Sequence, residues 1–536
     1  MATFAWEEDA SLRSVADESV YATRPFVDGS ITFVNGLKRA YAGEIAPVTS
    51  PIRGPDGKRV EIGTVAHMTA EEGVSAVDAA FEAFGRGQGT WPRMALGERV
   101  AAVEHFMATL LGVRDEIINV LMWEICKNTS DATKEFDRTM DFVKDVLEAL
   151  KRGADVSSPS FREWTTISGV TGKVRRGPIG VCVMVAAFNY PLNEMYAMML
   201  PALVMGNAIV LKLPTIGGLS HVLTADALAA AFPKGVVNFV TGSGRSTLGP
   251  IMGSGKVDMV GLIGGRKACD ALVLAHPEPH RLKVFSQLEG KNYAVVLPSA
   301  DLDNAVNQVI SGTTSYNGQR CTAIKLVLLH ESISDEFVTK YVAAVKTLKV
   351  GLPWHGAAIT PLPDEHKPAY LGDLVADALS KGSKVVSGGS KHHTLVVPTV
   401  LYPVSPDARA FQEEQFGPVV PISTFSDVDF VLARAAHSWN GQQIAVFCSG
   451  DDPAAAKILD NTQAIVGRIN INTAPSRGPD QFPFSARRSS ALGTMSVTHA
   501  IEAFSIETIL AFKENQDNRK VATYLEANTN FFKPTT

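Results

Sequence analysis

The chain lacks the features of a disulfide scaffold, a membrane protein or a nucleic-acid binder. Its 536 residues include only five cysteines, Cys126, Cys182, Cys269, Cys321 and Cys448, odd in number and without a C-x-x-C pair. That usage excludes a disulfide framework and points to free thiols in a reducing compartment. No stretch provides the roughly 18 uninterrupted apolar residues that a spanning helix needs. Residues 181–213 come nearest, but Asn189, Asn193, Glu194 and Asn207 interrupt them, so the stretch reads as strand, turn, helix and strand, and no membrane partner is expected. Long blocks of one charge sign are missing and the net charge is −5. Small polar metabolites are therefore the expected partners, and nucleic acid is not. The opening residues carry Glu7, Glu8 and Asp9 instead of a basic-then-apolar signal, and the last four, Lys533-Pro534-Thr535-Thr536, do not match a peroxisomal tripeptide, so a cytoplasmic location is expected. H-E-x-x-H and G-x-S-x-G are absent and His392-His393 reads as loop; neither a metal site nor a serine-hydrolase elbow is expected.

What is present describes an α/β enzyme. Forty-six per cent hydrophobic and 20 per cent charged residues are ordinary for globular protein, and the length calls for two or three large units. Residues 69–150 carry helix-period apolar spacing, as in Val74, Val77, Ala80, Phe81 and Phe84, which predicts a layer of helices. From about Val174 strand-length apolar runs follow, at 181–188, 208–213, 236–241 and 259–263, with helical stretches 195–203 and 219–231 between them. That alternation predicts a parallel sheet with crossover helices, whose ligands bind at the carboxyl ends of the strands. Polar or small residues stand at those ends: Asn189, Lys212, Thr241-Gly242-Ser243-Gly244 and Gly264-Gly265-Arg266-Lys267. A strict G-x-G-x-x-G is missing, so the ordinary dinucleotide fingerprint does not apply. One glycine turn is usually just a turn, but four polar strand ends in succession suggest a nucleotide site.

One cysteine stands apart. Asn317-Gly318-Gln319-Arg320-Cys321-Thr322-Ala323 places Cys321 in a polar turn expected between two β-prone segments, where a sulfur can reach a substrate and backbone N–H groups can stabilise developing charge. Arg320 is a poor neighbour for an inert core sulfur and a good one for a thiolate or an anionic substrate. Cys126 and Cys182, in apolar surroundings, read as core.

Phe188-Asn189-Tyr190-Pro191, Leu211-Lys212-Leu213-Pro214-Thr215, Gly318-Gln319-Arg320-Cys321 and Glu413-Glu414-Gln415-Phe416-Gly417-Pro418 together resemble the aldehyde dehydrogenase superfamily, in order and approximate spacing, from about Val48 to Lys513. Within it, Met122-Trp123-Glu124-Ile125-Cys126-Lys127-Asn128, Asp137-Arg138-Thr139 and Arg477-Gly478-Pro479-Asp480-Gln481-Phe482-Pro483-Phe484 bring the chain closest to the non-phosphorylating, NADP-dependent glyceraldehyde-3-phosphate dehydrogenases. The resemblance implies a Rossmann-type cofactor domain (1–154 and 177–296), an α/β catalytic domain (297–484), and a small β oligomerisation arm with a C-terminal tail (155–176 and 485–536), in a dimer or tetramer. It implies Cys321 as nucleophile, with the Asn189 amide and the Cys321 N–H holding the oxyanion. Lys212, Thr215, Gly242, Gly264, Gly265, Glu414 and Phe416 would face the cofactor. Thr215, where a carboxylate would repel a 2′-phosphate, favours NADP over NAD, though local sequence allows a helix N-cap there equally well. Arg138, Tyr190, Arg320 and Arg477 would hold a substrate phosphate, for which guanidinium forks are the suitable cradle.

One departure matters. The family's general base is a glutamate opening a Glu-Leu-Gly-Gly-Lys segment, and this chain has Gln287-Leu288-Glu289-Gly290-Lys291. An amide cannot take a proton from water at neutral pH, and loss of a general base slows a step on the order of 10²–10⁴-fold. Three readings stand side by side: Glu289 serves as the base, the acyl group leaves to another nucleophile such as the thiol of coenzyme A, or the enzyme is much weakened. A pseudoenzyme that binds nucleotide without turnover is a further alternative, supported by Gln287 and by the segment Ser485-Ala486-Arg487-Arg488-Ser489-Ser490-Ala491.

Overall fold

The computed structural model describes residues 4–152 and 163–533. Its centre is a five-stranded parallel sheet in the spatial order Val237–Val240, Ala208–Lys212, Val181–Val185, Met259–Ile263, Lys283–Gln287. Most of these residues are buried, because a parallel sheet is covered on both faces and so reads as continuous apolar runs. One face, with Val183, Val210 and Leu262, packs on Ala76, Val77 and Ala80 of the Ala70–Phe84 helix. The other, with Met184, Ile209 and Leu211, packs on Met195 and Met198. Thr69 starts the Ala70–Phe84 helix with a capping box to Glu72, and Gly85 ends it in a left-handed conformation, the pairing of cap and stop that isolates a helix from its loops.

A second sheet runs Lys384–Ser387, Thr399–Tyr402, Val419–Phe425, Leu326–His330, Tyr293–Val296, Gln443–Phe447, Arg468–Ile471, parallel throughout except for the first pair. Ser505–Lys513, Val170–Pro178 and Thr165–Ile167 form a separate antiparallel sheet. Among the described residues no helix is long and apolar enough to cross a membrane.

Three expectations change. The helix expected over 219–231 is two short ones, Leu219–Val222 and Ala225–Ala231, with the Thr224 hydroxyl donating to the His221 carbonyl at the break. The segment before Cys321 is the helix Leu302–Thr314, not a strand; Asp301 caps it by accepting from Asp303 and Asn304 N–H. The expected arm began at 485, but Ala491–Leu492 adds antiparallel to Ser286–Gln287 of the central sheet, and Arg487–Arg488 pairs with Asn440–Gly441. The part of the arm expected at 155–162 lies outside the described residues.

Candidate active site

The turn that carries Cys321 is built by left-handed backbone. After Leu302–Thr314 the chain passes through Tyr316, Asn317 and Gly318 at φ 47°, 57° and 71°. Two side chains hold the non-glycine residues in this costly conformation. Asn317 Oδ1 accepts from Thr360 N–H at 2.9 Å and its Nδ2 donates to Thr360 Oγ1 at 3.2 Å, while Tyr316 Oη donates to the Ile125 carbonyl at 2.8 Å. At Gly318 a Cβ would lie 2.7 Å from Thr313 O and 2.9 Å from Gly417 O, so only glycine fits. Beyond the turn, Cys321 O accepts from Asn292 Nδ2 at 2.7 Å and Lys325 Nζ at 2.9 Å. Its N–H meets no acceptor among the described residues. Asn189, in the turn four residues past the Val181–Val185 strand, donates from Nδ2 to Gln319 O at 3.0 Å, which joins the first sheet to the cysteine turn.

The thiol itself is not activated at rest. Burial pushes Cys321 up to about 11, the Glu194 carboxyl adds to the rise, and Lys325, Arg477 and Arg320 oppose it. Arg320, expected to favour the thiolate, is outweighed. Cys126 and Cys182 are fully buried in the core, as expected.

Around Cys321 a charged cluster gathers from distant segments. Arg138, on the helix Thr129–Lys151, makes a two-point contact with Asp480, at 3.1 Å and 2.8 Å. Arg477 Nη1 donates to Asn193 Oδ1 at 3.1 Å, its Nε lies 3.4 Å from Asp480 Oδ1, and its Nε and Nη2 are buried without a hydrogen-bond partner. Arg320 Nη2 donates to Thr322 Oγ1 and Pro475 O at 3.1 Å and 3.2 Å. Tyr190 is held neutral by burial, with Arg320 acting against that effect, and its ring lies under Lys127 Nζ at 3.3 Å. All four sequence-predicted phosphate residues are near enough to interact electrostatically with Cys321. A buried guanidinium edge without hydrogen bonds is costly, so Arg477 is suited to receive an anionic group.

Glu194 was missed by the sequence reading as a site residue. It lies in the first turn of Pro191–Val204, a helix buried along its whole length, and its Oε2 is buried without a partner. Burial pushes its carboxyl up to about 7, with Arg477 opposing, Glu135 adding, and Lys127 and Arg138 opposing. The signal was available: an acidic residue interrupts an otherwise apolar run directly after the Asn189-Tyr190-Pro191 turn.

The two sequence-predicted base positions fare differently. Gln287 ends its strand, buried, with Nε2 3.4 Å from Gly493 O and Oε1 unpartnered. Glu289 directs Oε1 to the Arg266 N–H, at 3.3 Å, so its carboxylate is engaged at a helix start. It is not among the charges acting most strongly on the Cys321 thiol.

At the carboxyl edge of the central sheet lie Lys212, Thr215, Gly242, Gly264 and Gly265 of the residues expected to face a cofactor, while Glu414 and Phe416 come from the segment before Val419–Phe425 of the second sheet. Burial lowers Lys212 to about 8, and its Nζ donates to Leu213 O at 2.6 Å. Thr215 is exposed and caps nothing; the short helix beyond begins after Gly218. Instead Glu124 accepts from the N–H groups of Gly217 and Leu219 at 2.7 Å and 3.2 Å, fixing the loop from behind. Gly242 has φ +78°, and a Cβ there would lie 2.9 Å from His67 Cα. Gly264 N–H donates to Gln287 O at 3.0 Å. The helices Gly244–Gly253 and Arg266–Ala275 both start here; Ser243 makes no side-chain cap bond to the first, whose leading N–H groups suit a pyrophosphate, whereas at the second the Arg266 N–H already donates to Glu289. Glu414 Oε1 pairs with Lys325 at 2.5 Å and accepts from Gly290 N–H at 3.0 Å, and Phe416 packs edge-on against Phe188. The set fits a dinucleotide. Among the described residues no group of three or more His, Cys, Asp or Glu is arranged to hold a metal.

The chain is similar in sequence and in fold to known proteins. The model of the aldehyde dehydrogenase family matches residues 44–509. An NADP-dependent glyceraldehyde-3-phosphate dehydrogenase of Streptococcus equinus is 33% identical over 477 residues, covering 88% of this chain and 96% of the relative. An α-ketoglutarate semialdehyde dehydrogenase of Haloferax volcanii is 29% identical over 461 residues, 83% of this chain and 91% of its own. Among solved structures, an NADP-dependent glyceraldehyde-3-phosphate dehydrogenase from Bacillus halodurans C-125 complexed with NADP superposes with a TM-score of 0.81 at 30% identity, over 90% of this chain and 99% of that one.

Proposed function

The chain belongs to the aldehyde dehydrogenase family, and from that premise we propose that it oxidises glyceraldehyde 3-phosphate, or a similar small phosphorylated aldehyde, to the carboxylic acid with NADP. The observation that carries the substrate is the gathering of Arg138, Tyr190, Arg320 and Arg477 about Cys321, with two donor atoms of Arg477 buried and without a hydrogen bond. A phosphate would satisfy those donors, whereas a neutral aldehyde would leave them orphaned. For the cofactor, Lys212, Thr215, Gly242, Gly264, Gly265, Glu414 and Phe416 would form the binding edge. Thr215 carries no charge that would repel a 2′-phosphate, and both the Streptococcus relative and the Bacillus structure are NADP proteins by name.

Bound NADP supplies the hydride acceptor. Cys321 attacks the aldehyde carbon once its thiol proton has left, and forms a thiohemiacetal. The Asn189 amide and the Cys321 N–H hold the oxyanion. After oxidation the acyl group remains on Cys321 as a thioester, and water must release it.

Reduced-cofactor absorbance with glyceraldehyde 3-phosphate, compared with glyceraldehyde and with NAD in place of NADP, tests this reading. Preference for the phosphorylated aldehyde is expected, and its absence would overturn the substrate assignment. Gln287 at the family's base position favours one second reading, release of the acyl group to a thiol. Formation of a free thioester instead of acid in the presence of coenzyme A would identify it.

A further inference from the structure

Hydrolysis of a thioester needs a group that takes a proton from water, and the family position for that group is an amide here. Gln287 can donate from Nε2 but cannot accept a proton at neutral pH. Glu289 turns one oxygen to the Arg266 N–H at 3.3 Å, at the start of the helix Arg266–Ala275, and is not among the charges acting most strongly on the Cys321 thiol. One other carboxyl lies on an element set against the cysteine turn: the Asn189 Nδ2 bond to Gln319 O at 3.0 Å and the Tyr190–Tyr316 ring contact at 6.2 Å bring the start of the Pro191–Val204 helix to it. Glu194 is enclosed in the first turn of Pro191–Val204 and has an oxygen with no hydrogen-bond partner. Apart from burial, it is the strongest influence on the Cys321 thiol.

The groups that face Glu194 come from three segments. Lys127, Glu135 and Arg138 lie on or just before the helix Thr129–Lys151, Arg477 lies on the 475–480 loop, and Cys321 lies on the catalytic turn. Glu135 cannot do the same work, because its Oε2 is bound to Lys127 and its Oε1 accepts from Leu192 and Asn193 N–H at 3.0 Å and 3.3 Å. Asp480 is held by Arg138 at two points. Glu194 is thus the carboxyl of the cluster with a buried oxygen left over.

Resting on the aldehyde dehydrogenase reading above, we infer that Glu194 is the proton acceptor for the water that hydrolyses the Cys321 thioester, in place of a base at position 287. The water oxygen bonds to the acyl carbon while its proton passes to the unpartnered Glu194 oxygen. The tetrahedral intermediate then collapses, the carbon–sulfur bond breaks, and the electron pair goes to the Cys321 sulfur. Glu194 returns its proton to that thiolate, which restores the neutral thiol, and the carboxylic acid departs. Atoms and charge balance without a further reactant. A carboxyl that burial has raised to about 7 suits this task, because the ideal base titrates near the working pH.

The test is rapid-mixing measurement of reduced cofactor with NADP and glyceraldehyde 3-phosphate, on the wild-type protein and Glu194→Gln. The expected result is a burst of about one equivalent per site in both, and steady turnover after the burst lower by about 10²–10⁴-fold in Glu194→Gln. Hydroxylamine, a nucleophile that needs no base, should restore turnover in the variant, which a merely structural loss would not permit. The acidic limb of the wild-type steady rate, falling as pH drops through about 7, should disappear from the residual rate of the variant. Burst and turnover both unchanged in Glu194→Gln would overturn the inference. So would a lost burst with NADP binding intact, because Glu194 would then act before acylation. Loss of NADP binding would mark a misfolded variant, and Glu194→Asp, expected to keep the burst and part of the turnover, would then carry the test; unchanged turnover in it together with no rescue by hydroxylamine would overturn the inference. If the wild-type protein itself reduces no cofactor with any aldehyde, neither in a burst nor in steady turnover, the function reading fails instead.

Discussion

Replacing Lys127 by methionine should destabilise the protein by about 3 kcal/mol, the low end of the roughly 3–5 kcal/mol lost when one partner of a buried ion pair is removed. Lys127 and Glu135 side chains are both fully buried and paired with each other. In Lys127→Met the Glu135 carboxylate keeps its bonds from Leu192 and Asn193 N–H. Hydrogen bonds to a charged group are worth about 1.5–3 kcal/mol each, and those two hold the cost at the low end. Glu135→Gln leaves the ammonium with the Tyr190 ring at 3.3 Å and the Tyr316 ring at 5.0 Å, which offsets part of its loss, on the order of 2 kcal/mol. The double variant Lys127→Met/Glu135→Gln has no buried net charge, so it should cost less than the sum of the singles by about 2 kcal/mol or more. Urea unfolding of the full chain, followed by tryptophan fluorescence with Trp123 buried nearby, reads the first cooperative transition. A Lys127→Met shift below about 0.5 kcal/mol, or single effects that simply add, would refute the reasoning. The pair matters to function because Glu135 fixes the start of the helix that carries Asn193 and Glu194.

Four further outcomes are expected. Arg477→Ala should raise KM for a phosphorylated aldehyde about 10–100-fold, on the worth of one or two charge-assisted hydrogen bonds, and change that for an unphosphorylated one far less; equal effects would sink the phosphate cradle. Gly318→Ala adds a left-handed cost of about 1–2 kcal/mol to contacts with two backbone carbonyls at 2.7 Å and 2.9 Å, so the burst rate should fall more than about 10-fold with NADP affinity unchanged. Thr215→Glu should weaken NADP at least about 10-fold while sparing NAD, by like-charge repulsion at the exposed loop, and titration with each cofactor decides. A thiol raised to about 11 stays neutral at physiological pH, with on the order of one part in 10⁴ as thiolate at pH 7. Iodoacetamide labelling of Cys321 should therefore climb about tenfold per pH unit between 7 and 10, and a plateau above pH 8 would contradict the burial of the sulfur.

Local sequence specified much of the fold. Val181, Val183 and Val210 sit in runs apolar enough to require cover on both faces, and four of the five parallel strands of the central sheet follow from such runs. The cysteine turn was legible as well, because a glycine directly after an asparagine and two residues before an arginine marks a polar turn. The segment before it was read as strand. There the Asp301 cap and the packing of Ala305, Val306 and Val309 make the helix, and tertiary packing overrides β propensity. Thr215 could pass for a helix cap because capping depends on backbone angles that residue type alone does not specify; Glu124, some 90 residues earlier, holds that loop instead.

By itself, then, the sequence determined the α/β class through its apolar spacing and set Cys321 apart by the polar turn around it, while the expectation that Cys321 is the nucleophile and that four residues hold a phosphate came from the family resemblance of its motifs. The tertiary structure decided what each charge does. Arg138 is tied to Asp480, Glu289 is turned to a helix start, and the Cys321 thiol is raised, not lowered. Glu194 is enclosed in the first turn of a buried helix, where burial raises its carboxyl and its charge acts on the Cys321 thiol. Burial and long-range pairing set these states, and both depend on residues hundreds of positions apart in the chain.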